Sequence, residues 1–539
     1  MAKIAFKSDN QGLFQLLPPS LDELIPPTHP ARVLNNIVDR LDVSQVLGSY
    51  KGGGNSCFHP RMMLKVLIYA YLNNIYSSRK IGRQLHEHIH YMWLSGGARP
   101  DFRTINYFRG KGLKATFDGI FTQVVELLHS EGFVSLEVQY IDGTKIESSA
   151  NKYTFVWRGC VEKYDARLKE KTHRILRDAE QVLEMKSHES QPAEELSVEE
   201  FRNRTSRIQE KMAHTEVPKK IKKAVEKAEK EAIPKMLEYE HDLAIMGERN
   251  SCSKTDEDAT FMRMKEDAMK NGQLKPGYNI QIATENQFIT NYAVYPRPSD
   301  TLTLIPFLES FEKRYGRQSH VIVADSGYGS EQNYEYLFGH NLTPYLKYNM
   351  FHQEQKRRYK KNVFLVQNLF YNRQGNYYVC PMGQHLSFIR EEERRSDAGY
   401  ISHVSIYRAI RCAGCPVRGL CNKARGNREI EVNHTLNRYK EKVRKLLNSE
   451  EGIFHRKKRP VEPEAVFADI KEAGKFRHFR LKGTTGVSIE FGLKAIAHNI
   501  KKIAARMAER QFATGKLQKT IHYRRITRRI NYFKNNMAA

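Results

Sequence analysis

Two short apolar runs in this chain each lead into an aspartate that a glycine follows closely. Val138–Ile141 leads into Asp142 and Gly143, and Val321–Ala324 leads into Asp325, with Gly327 two residues on. Such runs predict buried strands that end in turns. Carboxylates beyond strand ends lie where open α/β sheets bind ligands. We therefore predict an α/β fold in which both aspartates reach one edge of a central sheet.

A third carboxylate, Glu464, is predicted in the first turn of a helix. Proline is favoured in a first turn and costs about 3 kcal/mol in a helix interior, so the helix should begin near Pro463 and leave the competing Glu462 before it. Lys471 follows seven residues after Glu464, on the same predicted face. Three further aspartates are predicted to support the site or to cap helices: Asp256, Asp258 and Asp300. Asp300 is predicted as the N-cap of the helix that follows it.

Three carboxylates brought together repel one another unless divalent cations join them. Mg²⁺ prefers oxygen ligands, and two such ions about 4 Å apart activate an attacking water or 3′-hydroxyl in phosphodiester chemistry. We therefore predict Asp142, Asp325 and Glu464 as catalytic residues and as ligands of Mg²⁺ or Mn²⁺. For any one of them alone, a turn or cap role is the ordinary alternative.

The charge of the chain favours an anionic partner. Its 539 residues include 88 Lys and Arg against 61 Asp and Glu, a formal charge of +27. Such a surplus indicates nucleic acid first and a membrane surface second. No run approaches the roughly 18 apolar residues of a spanning helix, and the first residues do not resemble a secretion signal. We expect a cytoplasmic, nucleoid-associated protein in a reducing compartment, with no membrane partner.

The pattern of the chain predicts three regions. Residues 1–133 read as a helical DNA-binding domain, 134–505 as the catalytic domain, and 506–539 as a basic tail that is solvated or touches phosphate. Two insertions interrupt the catalytic domain: a helical one at about 158–250 and an irregular, cysteine-containing one at about 340–440. In the helical insertion, Val161, Leu168, Ile175 and Val182 recur every seven residues and predict a buried seam. This insertion is either a DNA-facing arm or a solvated helical hairpin.

Basic residues in two places are candidates for DNA contact. In the first region, Arg79 and Lys80 come just before a predicted short helix from Ile81 to His88, with Ser77 or Ser78 as its cap, and Arg103 lies where another predicted segment opens. The alternative is a helical cap domain with a solvated basic face. Just before the acidic helix, a basic run is a predicted phosphate clamp, unless it is simply solvated. The run consists of Arg456, Lys457, Lys458 and Arg459. Within the acidic helix, Lys471 is a predicted phosphate-binding cation, with an ordinary surface lysine as the alternative.

Four of the seven cysteines fall in the second insertion. Cys412 and Cys415 form a CxxC pair, with Cys380 before them and Cys421 after. Zinc takes four tetrahedral ligands and stabilises segments that have little core. These cysteines therefore predict a structural Zn²⁺ site, with four free thiols as the alternative.

Taken together, these blocks resemble the transposases of bacterial insertion sequences that use a DDE triad, and the closest branch is the "IS eleven eighty-two" family. The resemblance covers nearly the whole chain. The segments that carry it are His59–Met62, Pro100–Thr104, Tyr140–Glu147, Asn151–Trp157, Ser253–Asp256, Lys275–Asn279, Ala324–Tyr328, Glu464–Lys471 and Glu490–Leu493.

The resemblance implies a ribonuclease-H-like catalytic core that uses Mg²⁺ or Mn²⁺, with Asp142, Asp325 and Glu464 as its triad. It implies recognition of terminal inverted repeats, strand cleavage, joining of 3′-hydroxyl ends to target DNA, and a homo-oligomer on DNA. Related transposases often place a tyrosine and an arginine ahead of the glutamate at fixed spacing. Here Arg459 stands one position early and Arg456 occupies the place of the tyrosine. Hairpin or base-flipping steps that depend on that tyrosine are therefore not implied.

Two other functions fit the same residues. One is a nuclease on the same core that cuts DNA without joining it. The other is a non-catalytic DNA-binding protein derived from a transposase, although the intact triad argues against it.

Overall fold

The computed structural model describes residues 19–50, 57–185, 192, 195–264, 272–396 and 399–536, with side chains as far as residue 509. The chain divides into two compact units, residues 1–131 with 489–539 and residues 132–488. The first unit is helical. Its helices are α1 (Pro30–Asp39), α2 (Ser44–Gly48), α3 (Pro60–Leu72), α4 (Ser78–Glu87), α5 (Ile89–Leu94), α6 (Phe102–Tyr107) and α7 (Phe117–Ser130), and it also takes most of the C-terminal helix (Gly483–Asn536).

Helix α3 forms the centre of the first unit, as its apolar sequence predicts. Leu64, Val66 and Leu67 have no exposed surface, and the helix packs against α1, α4 and α5. Helix α4 begins at Ser78, three residues before the predicted start at Ile81. Ser77 is its N-cap residue, as one of the two predicted caps, although its side chain makes no capping hydrogen bond. The described helices confirm the predicted helical character of this region.

The described part of the second unit contains a six-stranded central sheet, a small five-stranded sheet, a two-stranded sheet and a set of helices. Its strands are β1 (Val138–Glu147), β2 (Phe155–Trp157), β3 (Ser251–Ser253), β4 (Thr260–Arg263), β5 (Leu274–Glu285), β6 (Phe288–Tyr295), β7 (Val321–Ala324), β8 (Thr343–Leu346), β9 (Phe370–Asn372), β10 (Tyr377–Val379), β11 (His385–Arg395), β12 (Ile401–Ala409) and β13 (Glu429–Val432). Its helices are α8 (Arg158–Val182), α9 (Val198–Met212), α10 (Lys219–Lys227), α11 (Ile233–Met246), α12 (Leu304–Tyr315), α13 (Glu331–Gly339), α14 (Phe351–Glu354), α15 (Arg357–Lys360), α16 (Arg418–Cys421), α17 (His434–Leu447), α18 (Glu450–Lys458) and α19 (Pro463–Ala468).

The central sheet mixes antiparallel and parallel strands. Its order is β4-β5-β1-β7-β8, and β6 also pairs with β5. Strand β1 is antiparallel to β5 and parallel to β7, and β7 is parallel to β8. Apolar residues of α12, α13 and α17 pack against β1, β7 and β8 in one buried cluster. Parallel strands are usually covered by helices on their faces, and these helices supply that cover. The packing holds β1 and β7 in place, and the candidate site lies where their pairing ends.

Helices α8–α11 fill the predicted helical insertion between the paired strands β2 and β3. The predicted seven-residue seam is only partly correct. Val161 is buried, but Val182 is 46% exposed, and Leu176, Ala179 and Leu183 are buried. A straight α-helix drifts by about 20° per seven residues relative to a strict heptad, so the buried stripe moves off the predicted positions along α8.

The prediction of an irregular cysteine-containing insertion is wrong for much of its length. Strands β9–β13 form a five-stranded antiparallel sheet in the order β13-β12-β11-β10-β9. The strands were missed because β11 is exposed at most positions, so it shows no alternation of apolar and polar residues. Ion pairs between strands stabilise it instead, such as Arg394 Nη2 to Glu431 Oε1 at 2.7 Å.

Candidate active site

Asp142 lies within β1 rather than at its end, so the predicted strand ending is wrong. Gly143 belongs to the strand and not to a turn. A Cβ at Gly143 would lie 2.7 Å from Asp300 Oδ1 and closer still to the Gln281 side chain, so only glycine fits here without a shift. The pairing of β1 with β7 ends at Tyr140. Asp142 therefore lies just past the end of the parallel pairing with β7, while the antiparallel pairing of β1 with β5 continues to Glu147.

Asp325 follows the last residue of β7 directly, as predicted. In the parallel pairing, Tyr140 lies opposite Val323, and the same register continued by two residues places Asp142 level with Asp325. The Asp325 carboxylate accepts the backbone N–H of Ser326 at 2.5 Å. Strand pairing thus brings together two carboxylates that are 183 residues apart in the numbering.

Glu464 lies in the first turn of α19, which begins at Pro463 as predicted. Its side chain is 53% exposed. Glu462 is 2% exposed, and its carboxylate accepts the backbone N–H of Gln287 at 2.7 Å. Glu462 therefore holds the fold at the β5–β6 turn, while Glu464 has an accessible carboxylate.

One buried guanidinium connects the three predicted catalytic carboxylates. Arg459 Nη2 lies 3.2 Å from Asp142 Oδ1 and 3.6 Å from Asp325 Oδ2, and Arg459 Nη1 lies 3.0 Å from Glu464 Oε1. Because all three carboxylates lie within 3.6 Å of the same planar group, they converge on one small volume. Removing one charge from a buried, paired cluster leaves the others uncompensated. The sequence predicted the convergence of the carboxylates but placed Arg459 in the phosphate clamp.

The charges around this cluster shift its titration. Burial would raise the pKa of Asp325, but Arg459, the Ser326 N–H and Lys347 together hold it below the usual 3.8. Lys347 comes directly after β8, the strand next to β7. Burial and the nearby charge of Arg459 lower the pKa of Lys347, against the opposing effects of Asp325 and Glu464. Lys347 is therefore a second cation at the site.

Asp300 adds a fourth carboxylate beside Asp142. It accepts hydrogen bonds from Asn279 Nδ2 at 2.7 Å and Gln281 Nε2 at 2.9 Å. Its predicted role as the N-cap of a helix is wrong, because Thr303 is the N-cap of α12 and two side-chain amides already hold the Asp300 carboxylate. Asp256 and Asp258 do act as predicted: they accept the N–H groups of Gly483 and Thr484 at the start of the C-terminal helix.

The structure divides the predicted phosphate clamp. Lys457 is exposed, and Arg456 lies 5.3 Å from the ring centre of Phe351. Lys458 contacts Glu462 at 3.4 Å. Arg459 is only 5% exposed and is held by three carboxylates, so it is not placed to contact a DNA phosphate.

Glu464 and Lys471 were predicted to share one face of an α-helix, but no single α-helix contains both residues. Helix α19 ends at Ala468, and a π-helical turn spans Asp469–Ala473. The spacing of 3.6 residues per turn therefore does not extend as far as Lys471.

In the first unit, the predicted DNA-contacting side chains are all exposed on α4 and α6. The guanidinium carbons of Arg79 and Arg103 lie 5.1 and 5.8 Å from the ring centre of Phe102. Lys80 is the neighbour of Arg79 on α4. The structure thus groups Arg79 and Arg103 around one exposed aromatic ring.

The donor set at the acidic centre suits a hard divalent cation, since carboxylate oxygens are the ligands that Mg²⁺ and Mn²⁺ prefer. Within the described ranges, no group of three or more His, Cys, Asp or Glu side chains has the arrangement of a metal site. At the acidic centre, the Arg459 guanidinium supplies the positive charge between the carboxylates. In the second insertion, Cys380, Cys412, Cys415 and Cys421 form no disulfide and line one small cavity.

The sequence did not indicate Lys347 as a site residue, and it predicted only a supporting or capping role for Asp300. For Lys347 a signal existed: it follows the short apolar strand Thr343–Leu346, as Asp325 follows β7. For Asp300 none existed, because its place depends on the side-chain amides of Asn279 and Gln281 on a distant strand.

Two segments of the chain match transposase families. Residues 379–504 match the family described as Transposase DDE domain, and residues 19–111 match the one described as Transposase domain (DUF772). The first segment includes Glu464, Arg459 and the four clustered cysteines, whereas Asp142 and Asp325 lie outside both. Neither the curated proteins nor the solved structures gave a significant match.

These matches support a DDE transposase of an insertion sequence, an enzyme of the nucleotidyl-transferase type with DNA as its partner. The mixed α/β architecture is consistent with that assignment. Of the helices that the structure describes, none combines the length and the apolarity that a bilayer crossing requires.

Proposed function

We propose that this protein is the transposase of an insertion sequence: it binds terminal inverted repeats, cleaves DNA strands and joins 3′-hydroxyl ends to target DNA. The convergence of Asp142, Asp325 and Glu464 on one guanidinium carries the proposal. Residues from two strands and a distant helix meet there, in a chain with a formal charge of +27. We place the protein in the bacterial cytoplasm, associated with the nucleoid, and within the "IS eleven eighty-two" branch.

The topology of the central sheet supports a ribonuclease-H-like core. Strands β6, β5 and β1 are antiparallel neighbours, and β7 and β8 follow in parallel to β1. In the order β6-β5-β1-β7-β8, Asp142 lies on the central strand β1, and Asp325 directly follows β7, its parallel neighbour.

Asp142, Asp325 and Glu464 are the residues that would hold Mg²⁺ or Mn²⁺. When bound, such cations activate the attacking water or 3′-hydroxyl and stabilise the oxygen that leaves. The protein's own contribution is to hold three carboxylates at one point with their mutual repulsion balanced. Arg459 provides that balance in the arrangement seen here, so we infer that its guanidinium withdraws when cations and DNA enter.

Basic side chains around the acidic centre would bind and orient the DNA backbone. Lys347 is near enough to Asp325 and Glu464 for their charges to act on its pKa, and Arg456 and Lys457 lie on α18, just before Arg459. In the first unit, Arg79, Lys80 and Arg103 offer exposed charges beside the Phe102 ring. Contacts of this kind fix the position of the duplex without reading its sequence. Affinity should therefore fall steeply as salt rises.

Cleavage of a labelled transposon-end duplex in Mn²⁺ tests the proposal. Asp142→Asn, Asp325→Asn and Glu464→Gln should each abolish cleavage while retaining DNA binding. Asp178→Asn, an exposed carboxylate on α8, is the matched control and should cut normally. Cleavage by the Glu464→Gln variant would overturn the triad, and loss only in Glu462→Gln would move the third ligand to Glu462.

A second arm separates transfer from simple cutting. Pre-cleaved ends with a free 3′-hydroxyl should join to target DNA, and the products should come from at least a dimer on DNA. Cutting without joining would identify a nuclease. No Mn²⁺-dependent nicking at all, with binding intact, would identify a non-catalytic DNA-binding protein.

A further inference from the structure

Four cysteines from two separate turns line the same small cavity at one end of the five-stranded sheet. Cys380 follows β10, Cys412 and Cys415 lie in the loop after β12, and Cys421 ends α16. The residues that line the cavity include all four. They are partly buried and form no disulfide, so their thiols are available as ligands.

Both cysteine turns have a tight backbone that only glycine adopts readily. In the first, Gly383 has a φ of +82°, and its N–H donates to the Cys380 carbonyl at 2.9 Å. In the second, Gly414 has a φ of +75° inside the CxxC segment. Positive φ is a strained conformation for residues with a Cβ. Each turn therefore folds the chain back beside its own cysteine.

The sulfur atoms already accept hydrogen bonds from the chain. Gln384 N–H donates to Cys380 Sγ at 3.3 Å, and Arg428 N–H donates to Cys412 Sγ at 3.3 Å. The Arg428 guanidinium donates to Cys421 Sγ at 3.0 Å. Metal-bound ligands usually have such outer partners, which orient them. Three of the four sulfurs thus have donors that suit a negatively charged thiolate.

The loop between β12 and β13 is held by polar contacts and has little apolar core. Ile410 and Leu420 are 71% and 76% exposed, so its apolar residues do not form a core. Arg418 instead donates to the carbonyls of Cys412 and Ala424 at 3.3 and 3.1 Å. A segment with few buried apolar contacts gains most from a metal that joins its ends.

We propose that Cys380, Cys412, Cys415 and Cys421 bind one structural Zn²⁺ as four thiolates. Side-chain rotations within the shared cavity bring the sulfurs to the ion, since the described cysteines do not already have the spacing of a metal site. Zinc–sulfur bonds of about 2.3 Å in a tetrahedron would form, and each thiol would release its proton to solvent. The site joins β10, the β12–β13 loop and α16, and it lies apart from the carboxylates of the acidic centre.

The test is the zinc content of the full chain, purified with a thiol reductant and no chelator. Elemental analysis should find about one zinc per chain in the wild type, the ratio that one four-ligand site sets. Cys415→Ser and Cys421→Ser should lose most of it. Cys160→Ser removes an exposed cysteine outside the cluster and should keep the metal. DNA cleavage is not part of the readout, so a failed transposase assignment leaves this test intact.

A second measurement covers variants that do not fold. Wild-type protein loaded with Co²⁺ should show the visible d–d bands of a tetrahedral ion and thiolate-to-metal charge transfer. A zinc-free wild type that gains neither zinc nor these bands on metal addition would overturn the proposal. So would full zinc retention in Cys415→Ser, or disulfides among the four cysteines in protein alkylated directly on lysis.

Discussion

The acidic centre and the cysteine cavity are built in opposite ways. At the acidic centre, Asp142, Asp325 and Glu464 come from β1, β7 and α19 and meet only because the sheet pairs distant segments. At the cavity, Cys412, Cys415 and Cys421 come from one loop, and only Cys380 arrives from an earlier turn.

Arginine occupies a similar place in both sites. Arg459 contacts three carboxylates of the acidic centre, and Arg428 contacts the sulfur of Cys421 and, through its backbone, that of Cys412. The two sites differ in the burial of their side chains: those of Asp325 and Glu464 are about half exposed, at 48% and 53%, and so are accessible to a large molecule. The four cysteines are partly buried around one small cavity that is lined mainly by apolar surface. We therefore predict that the carboxylates of the acidic centre act together on a large substrate. We predict that the cysteine cavity only stabilises the loop around it.

The largest expected effect tests whether the acidic centre acts as one unit. Asp142→Asn should reduce the rate of strand cleavage by about 10³-fold or more, since each tenfold corresponds to about 1.4 kcal/mol of lost transition-state stabilisation. The double variant Asp142→Asn with Asp325→Asn should lose no more than the single one, because residues that act together are not additive. Single-turnover cleavage measures both, with Asp178→Asn as the control. If the losses of cleavage rate in the two single variants add up in the double variant, Asp142 and Asp325 do not act as one unit.

The next effect concerns Arg459, the only described side chain that contacts all three carboxylates. Arg459→Met leaves them uncompensated in metal-free protein and should lower the free energy of unfolding by about 2 kcal/mol, less than a fully buried pair because two partners are half exposed. Added Mn²⁺ should narrow the gap to wild type, since a cation that binds the folded state stabilises it. Urea unfolding with and without Mn²⁺ measures this.

Arg477→Met is the matched control for Arg459, because Arg477 pairs with Glu472 at an exposed position. Its small effect should not depend on Mn²⁺. If Mn²⁺ widens the gap between Arg459→Met and wild type, Arg459 helps to bind the cation rather than standing in its place.

The sequence predicted the acidic centre better than the elements around it. Asp325 could be placed because a short apolar strand ends just before it, and Glu464 because Pro463 marks the start of a helix. Asp142 was chosen correctly as a partner of Asp325 in space, but its strand does not end there. The cause is Gly143, which in isolation indicates a turn and here makes room for the Asp300 and Gln281 side chains. Such a close approach depends on long-range packing and leaves no local pattern.

For the small five-stranded sheet the outcome was the reverse: the site motif could be predicted and the strands could not. Its cysteine spacing was visible in the sequence, yet its strands were not. Strand β11 has exposed charged residues on both faces, so its sequence shows no alternation of apolar and polar residues. It forms a strand because it pairs with β12. The same holds for Arg459: a basic run predicts a surface, and only the fold shows that its last member is buried among carboxylates.

A smaller effect tests the local character of the cysteine cavity. Cys415→Ser should speed tryptic cleavage at Lys423 or Arg425 by about tenfold, because that loop has few buried apolar contacts and would open by local unfolding without the metal. Strand cleavage of DNA at low temperature should persist. Timed digestion with mass spectrometry measures the sites, and Cys160→Ser should digest as wild type does. Equal digestion of the Cys415→Ser loop would mean that the cavity does not hold the loop closed.

The smallest effect is the pH dependence that Asp325 gives to stability. Its pKa in the folded protein is below 3.8, so its carboxylate stabilises the fold fully above that value and loses this contribution as pH falls through the lower, folded pKa. The contribution should be under about 1 kcal/mol, because the side chain is half exposed and solvent screens it. The wild type should therefore exceed Asp325→Asn by a constant margin from neutral pH down to mildly acid pH, and the margin should shrink only in strong acid. Urea unfolding across that range measures the margin, with Asp178→Asn as the control for loss of one charge. A margin that instead grows as the solution becomes acid would mean that burial, and not Arg459, dominates the titration of Asp325, and the guanidinium would then not be the group that holds the acidic centre together.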